Sequence, residues 1–372
     1  MDSRAEPQLP DPEPSTVRLS DPGEIAAAIP YLLGFRPEES VVLISLTGAG
    51  GRVGLTVRAD IPPPADARAL AGALARSVCT DGPSGVVLAV VSEATDELSR
   101  GSARPVGDQR RENVDLPHRG LIHELTMAVA AAGIPVRDAL LVRAGRWWSY
   151  DCPHRCCRPG AGTPLPGSVT ELEVASVSSG TVVARDRDEL EARIAPPGGL
   201  AWAATNDAVL RTAGERVTRA EECGWEVVAD EAMATIVEAV AACRPGAGAT
   251  RPADDVLARV LWGLRDTRVR DQALELALGP EPLAVEALWS ECTRRAPSPL
   301  DAAPATLLAV SVWLRGDGAM ANVALDRALD SDPDYALAQL LRAALASCLG
   351  PAELRAMIEA SLAGDDDALP AR

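Results

Sequence analysis

The chain changes texture once. Ahead of Pro196-Pro197-Gly198-Gly199, β-branched runs alternate with helical patterns, and after it nearly every segment reads as helix. That change constrains the fold more than any motif does. Strand, helix and strand in alternation make an α/β layer, whereas a series of amphipathic helices makes an all-α body. The 372 residues are enough for two domains of ordinary size. The expectation is an α/β N-terminal domain over 15–195, a mixed sheet with helices, followed by an all-α helical domain over 200–363. Residues 1–14 are acidic and proline-rich, and 364–372 are similarly poor in apolar surface, so both are expected to be disordered tails.

In the first half, Thr16–Leu19 reads as a short strand. Ser20-Asp21-Pro22-Gly23-Glu24 supplies a capping side chain, a first-turn proline and an early glutamate, so a helix is expected from there to about Leu33. The runs 40–46 and 52–59 are β-rich and are joined by the glycine loop Thr47–Gly51, the signature of a hairpin. A helix over 65–78, a buried strand at 86–91, a long arginine-rich loop at 93–114, a helix at about 117–132 and strands at 139–143 and 147–150 follow. Seven or eight helices are expected between Thr205 and Leu362. Residues 303–335 carry Leu308, Ala309, Gly316, Ala321, Leu325, Ala328 and Pro333 at the spacings of a tetratricopeptide-like helix pair.

Composition excludes several functions. Every cationic side chain other than histidine is an arginine, since the sequence contains no lysine. Schiff-base chemistry, a pyridoxal-phosphate lysine and a P-loop lysine are therefore ruled out. The net charge is −17 and the pI about 4.7. Nucleic acids and anionic membranes are held by basic surfaces, so neither is an expected partner. Arg104, Arg110, Arg111 and Arg119 form the densest basic stretch and read as a solvated loop face. No secretory signal or charge-free apolar run of spanning length is visible, and the eight cysteines fit reduced thiols, so a cytoplasmic location is expected.

The densest chemistry lies in Trp147-Trp148-Ser149-Tyr150-Asp151-Cys152-Pro153-His154-Arg155-Cys156-Cys157. Cys152, His154, Cys156 and Cys157 are the candidate metal ligands, because zinc takes thiolate and imidazole from close spacings. A redox thiol beside Arg155 and Arg158, or inert core cysteines, are the competing readings. Trp147 and Trp148 are adjacent on a strand and point to opposite faces, so one joins the core and the other needs a covering layer or is a binding surface. His118 and His123 share a helix but point too far apart to hold one ion, and His118 reads as a core or cap histidine. Gly48, Gly50 and Gly54 lead into a second strand rather than a helix, which makes them a hairpin loop and not a dinucleotide site. Asp186, Asp188 and Glu189 read as the acidic first turn of a helix running to Ile194. Arg36, Arg58 and Asp60 flank the hairpin and, with Trp148, are the candidate ligand-binding residues.

Leu19-Ser20-Asp21-Pro22-Gly23-Glu24 and Pro30-Tyr31-Leu32-Leu33-Gly34-Phe35-Arg36-Pro37-Glu38-Glu39-Ser40-Val41-Val42 resemble an actinobacterial family known as domain of unknown function 4192. Arg58-Ala59-Asp60, Cys156-Cys157-Arg158-Pro159-Gly160, Trp313–Ala319 and Asp332-Pro333-Asp334-Tyr335 extend the resemblance over residues 16 to about 350. Arg158 departs from it, since proline is expected directly after the cysteine pair. The resemblance implies a cytoplasmic protein of a high-G+C organism and supplies no activity. The leading functional expectation is a cytoplasmic binding or adaptor protein whose helical half engages a protein partner or a second copy of itself. The competing one is an enzyme or small-anionic-ligand binder at the α/β domain, with a structural zinc compatible with either.

Overall fold

A computed structural model describes residues 21–48, 51–98, 114–167, 183–245 and 251–366. The expected strand at Thr16–Leu19, both terminal tails for the most part, and Arg104, Arg110 and Arg111 lie outside the described residues. The chain forms two units. One holds described residues of 21–32, 38–72 and 83–183, and the other Leu33–Pro37, Ala73–Gly82 and the described residues from Ala184 onward. The second unit thus begins ahead of the Pro196–Gly199 break.

The first unit is organised by its hairpin. After helix α1 (Pro22–Leu33), strands β1 (Ser40–Thr47) and β2 (Arg52–Asp60) pair antiparallel, from Ser40 opposite Asp60 to Thr47 opposite Arg52. Gly48 and Gly51 take φ of +67° and +61° at the turn, where a Cβ would be strained. Helix α2 (Ala67–Cys79), whose residues from Ala73 onward fall in the second unit, and strand β3 (Gly85–Val91) follow, then the two-residue strands β4 (Glu97–Leu98) and β5 (Val114–Asp115), which pair with each other. Helix α3 (Arg119–Ala131) crosses over to β6 (Val136–Arg143), which runs parallel to β3, as a helical crossover allows. Strands β7 (Arg146–Ser149) and β8 (Thr163–Pro164) complete a six-stranded mixed sheet in the order β2-β1-β3-β6-β7-β8.

Burial follows from that order. Val41–Ile44 of β1 and Val86–Val90 of β3 are buried at every residue, so the central strands are covered on both faces. Helix α3 contributes Leu121, Ile122, Leu125 and Val129 to this core, a stripe at helical spacing.

The second unit is helical. Its helices are α4 (Arg187–Arg193), α5 (Leu200–Cys223), α6 (Trp225–Ala242), α7 (Asp254–Gly263), α8 (Thr267–Glu275), α9 (Pro282–Arg295), α10 (Ala302–Leu314), α11 (Gly318–Ser331), α12 (Ala336–Ala346) and α13 (Pro351–Asp366). Nine helices from Leu200 onward among the described residues exceed the seven or eight expected. Asp266 explains part of the difference: it caps the Arg268 N–H and starts α8 three residues after α7 ends. Asp186 caps α4 in the same way, accepting from the Glu189 N–H at 2.8 Å. Helix α10 is buried from Ala302 through Trp313 and packs on α11, and the small side chains Ala309 of α10 and Ala321 and Ala328 of α11 are all buried. Trp289 is fully buried at the centre of this core.

Candidate functional site

Two polar assemblies stand out in the α/β unit. The first sits just past the C-terminal end of β3, where ligands collect in sheets of this class. Ser92 is 2% exposed, and its Oγ donates to Glu39 Oε2 at 2.8 Å and lies 3.0 Å from His118 Nε2. The Glu93 N–H donates to the other Glu39 oxygen at 2.8 Å. Both residues that converge on Ser92 are strained: Glu39 has φ +38° and His118 φ +58°. Glu39 and His118 thus both hold the Ser92 hydroxyl, and the trio clasps the ends of β1, β3 and α3 together. Sequence reasoning missed Glu39 and Ser92, because their partners lie 53 positions apart; His118, read as a core or cap histidine, stands at the N-cap position of α3, but its ring bonds Ser92 and caps no helix N–H.

Beside this clasp, Arg58 donates from Nε to Ser40 Oγ at 2.9 Å and pairs with Asp60 at 2.5 Å. The structure thus brings together two of the predicted ligand residues. Arg36 belongs to the second unit, where it is exposed and its N–H donates to the Ala184 carbonyl. Trp148 is 3% exposed, with its Nε1–H donating to the Arg158 carbonyl and the Arg143 guanidinium 4.9 Å from its ring centre. It is a core side chain, covered by the loop that follows β7. Trp147, on the other face, is approached by the first turn of α1 at Gly23, so a helix covers it. Arg119 is held by Asp115 at 2.5 Å and by the Tyr150 carbonyl, and burial raises the Tyr150 phenol well above its ordinary range.

The second assembly is the cysteine loop. Cys152 turns back on β7 through its N–H to the Ser149 carbonyl, and Arg155–Cys157 form one turn of 3₁₀ helix. This brings the sulfurs of Cys152, Cys156 and Cys157 within 4.8 Å of one another. Cys152 Sγ and Cys157 Sγ each lie 3.9 Å from Cys156 Sγ. Cys157 is buried and accepts the Ser149 N–H at 3.3 Å, whereas Cys156 is exposed. Burial pushes the Cys157 thiol up to about 12, while the His154 backbone hydrogen bond lowers that of Cys152. His154 is exposed, and its ring nitrogens are not part of the close sulfur group. Three of the four predicted metal ligands therefore converge. The sequence could not show this, since which side of a loop each cysteine takes depends on the 3₁₀ turn.

A family model described as "Domain of unknown function (DUF4192)" matches residues 22–352, from α1 into α13. The chain belongs to the DUF4192 family. No curated protein and no solved structure matches it.

The helical unit of this DUF4192 chain carries its own concave feature. A groove of about 460 Å³ is floored by Met233, Val237 and Val240 of α6 with Val285 of α9, and rimmed by Arg244, Glu275 and Glu281. Positions 233, 237 and 240 form one stripe along α6. Arg244 is paired with Glu281 at 2.6 Å, which leaves the carboxylate of Glu275 to set the sign of the rim. Apolar side chains are exposed elsewhere on the unit too, among them Leu210 and Val217, seven residues apart on α5. No helix of the described residues is long and apolar enough to cross a membrane.

Proposed function

We propose that the protein is a cytoplasmic binding module whose helical unit engages a protein partner through the groove of α6, α8 and α9. The observation that carries this reading is an apolar groove floor on which Val237 is half exposed and Met233 partly exposed, with Val240 buried beneath them, in a groove large enough for several side chains. An amphipathic helix with apolar residues at i, i+3 or i+4 and i+7, flanked by a basic residue facing Glu275, matches its spacing and charge. Methionine on the floor lets such a surface adapt to its ligand. The packed pair α10–α11 in the same unit has the helix lengths and buried small residues of a repeat scaffold, which supports a rigid platform.

The test places a photo-reactive side chain at Gln272, an exposed residue lining the groove, and identifies what it captures in a bacterial extract. The reading requires that the same protein be captured in repeat experiments, and that Val237→Glu abolish capture while Val217→Glu leaves it intact. Failure to capture anything, with a single monomeric species in sedimentation, sinks it.

A second reading has one observation in its favour, the two strained residues that meet at Ser92. It takes the end of β3 as a site for a small anion, with Arg58 as the counter-charge. Thermal-shift measurements against nucleotides, sugar phosphates and acyl carriers decide it: stabilisation that disappears in Arg58→Leu supports it, and no shift with any of them removes it.

A further inference from the structure

We propose that Cys152, Cys156 and Cys157 form a zinc site with three thiolate ligands and one corner open to solvent. The argument begins with distance. A tetrahedral zinc with Zn–S bonds of about 2.3 Å requires sulfurs about 3.8 Å apart. The two consecutive separations here are 3.9 Å each, and all three sulfurs lie within 4.8 Å. A disulfide needs its sulfurs at about 2.05 Å, so the loop as folded holds the thiols at coordination spacing rather than at bonding spacing.

The loop is also built to keep them there. The Trp148 indole fills the space beneath it and donates to the Arg158 carbonyl at 3.3 Å. Arg146 spans the far side, donating to the Ala161 carbonyl at 3.2 Å and the Gly162 carbonyl at 2.8 Å. The Ser149 N–H donates to Cys157 Sγ, the kind of outer hydrogen bond that orients a metal-bound sulfur and stabilises its charge. Three thiolates around Zn²⁺ leave one net negative charge, and Arg155 and Arg158 are exposed cations in the same loop.

The fourth corner follows from exposure. Cys157 supplies the buried side of the cluster and Cys156 the exposed side, so the remaining coordination direction faces water. His154, two residues from both Cys152 and Cys156, does not join the sulfur group. Closed structural zinc sites fill all four corners with protein, whereas sites that exchange ligands keep one free. Zinc is preferred over calcium or magnesium because the donors are soft sulfurs with no oxygen ligand in the group.

The full chain, stripped with a chelator under reducing conditions, is titrated with Zn²⁺ against a chromogenic competitor and with Co²⁺ for the thiolate charge-transfer bands. One equivalent with a tetrahedral cobalt spectrum is expected. Cys152→Ser and Cys156→Ser, at positions that are not buried, are each expected to weaken binding at least 100-fold while the far-ultraviolet dichroism stays unchanged. His154→Ala should bind within about threefold of the parent. Two results overturn the proposal: no metal uptake while alkylation confirms that all three thiols are reduced, or full affinity in both serine variants. Loss of metal in His154→Ala would replace the open corner with a closed Cys₃His site and overturn that part. The binding-module reading is untouched by any of these outcomes, since it concerns the other unit.

Discussion

A Cβ placed on Gly162 would stand 2.4 Å from Cζ2 of Trp148. The residue is glycine for two reasons at once, because its φ is +71° and because the indole lies directly against it. The indole in turn supports the cysteine loop. Packing and loop geometry are therefore set by one contact.

Gly162→Ala should destabilise the α/β unit by about 3 kcal/mol, the sum of a left-handed penalty of about 1 kcal/mol and an overpacking cost of about 2 kcal/mol. Gly160 is the internal control, with φ +77° and nothing within 4 Å of a Cβ. Gly160→Ala should cost only about 1 kcal/mol. Urea unfolding of both variants checks the difference, and equal losses would show that the Trp148 contact is inconsequential.

Asp301 is fully buried, paired with Arg327 at 2.8 Å and bonded to Ser331. Removing one partner leaves a charge without its counter-ion. Asp301→Ala should cost about 3 kcal/mol, and Asp301→Ala/Arg327→Leu should recover part of that loss. A double-mutant cycle by urea denaturation reads it, and strictly additive losses would show that the pair is not coupled.

Glu286 and Asp317 are both raised above the ordinary carboxylate range, chiefly by burial, against the lowering effect of Arg315. A raised folded-state pKa means the native state binds a proton more tightly than the unfolded chain. The stability this gives is complete below the ordinary carboxylate values and is lost as pH rises through the elevated ones. Stability of the helical unit should therefore fall across the interval just above the ordinary carboxylate range. Glu286→Gln should flatten that slope; denaturation at a series of pH values compares the two, and parallel curves would refute it.

Cys292 is completely buried, and burial pushes its thiol above the ordinary range. The thiolate is the reactive form. Alkylation of the folded, metal-stripped protein, followed by mass spectrometry, should modify exposed Cys156 early and leave Cys292 unmodified until the helical unit unfolds. Early loss of the Cys292 thiol would mean that this core opens locally.

Much of the fold was legible from local signals. The glycine loop between two β-rich runs gave the β1–β2 hairpin, and the acidic run Asp186, Asp188 and Glu189 gave the start of α4, with Asp186 one step outside the expected first turn as its cap, because turns and helix starts involve residues close in sequence. The parallel pairing of β3 with β6 was not legible, since no local residue encodes which strands become neighbours. The boundary of the helical unit was also displaced: Phe35 bridges to Ala184, so a segment from before β1 belongs to the second unit.

The candidate sites divide the same way. The residues around positions 152–157 marked themselves by composition alone, and the lack of lysine is a property of the sequence itself. Sequence fixes which side chains are available and which charges they carry, because those are properties of single residues. Only the tertiary structure decided that three sulfurs meet while His154 stands apart, that Trp148 is buried, and that Glu39, Ser92 and His118 converge. Each of those facts depends on which backbone segments lie side by side, and that is settled by the burial of the whole core rather than by any one stretch of chain.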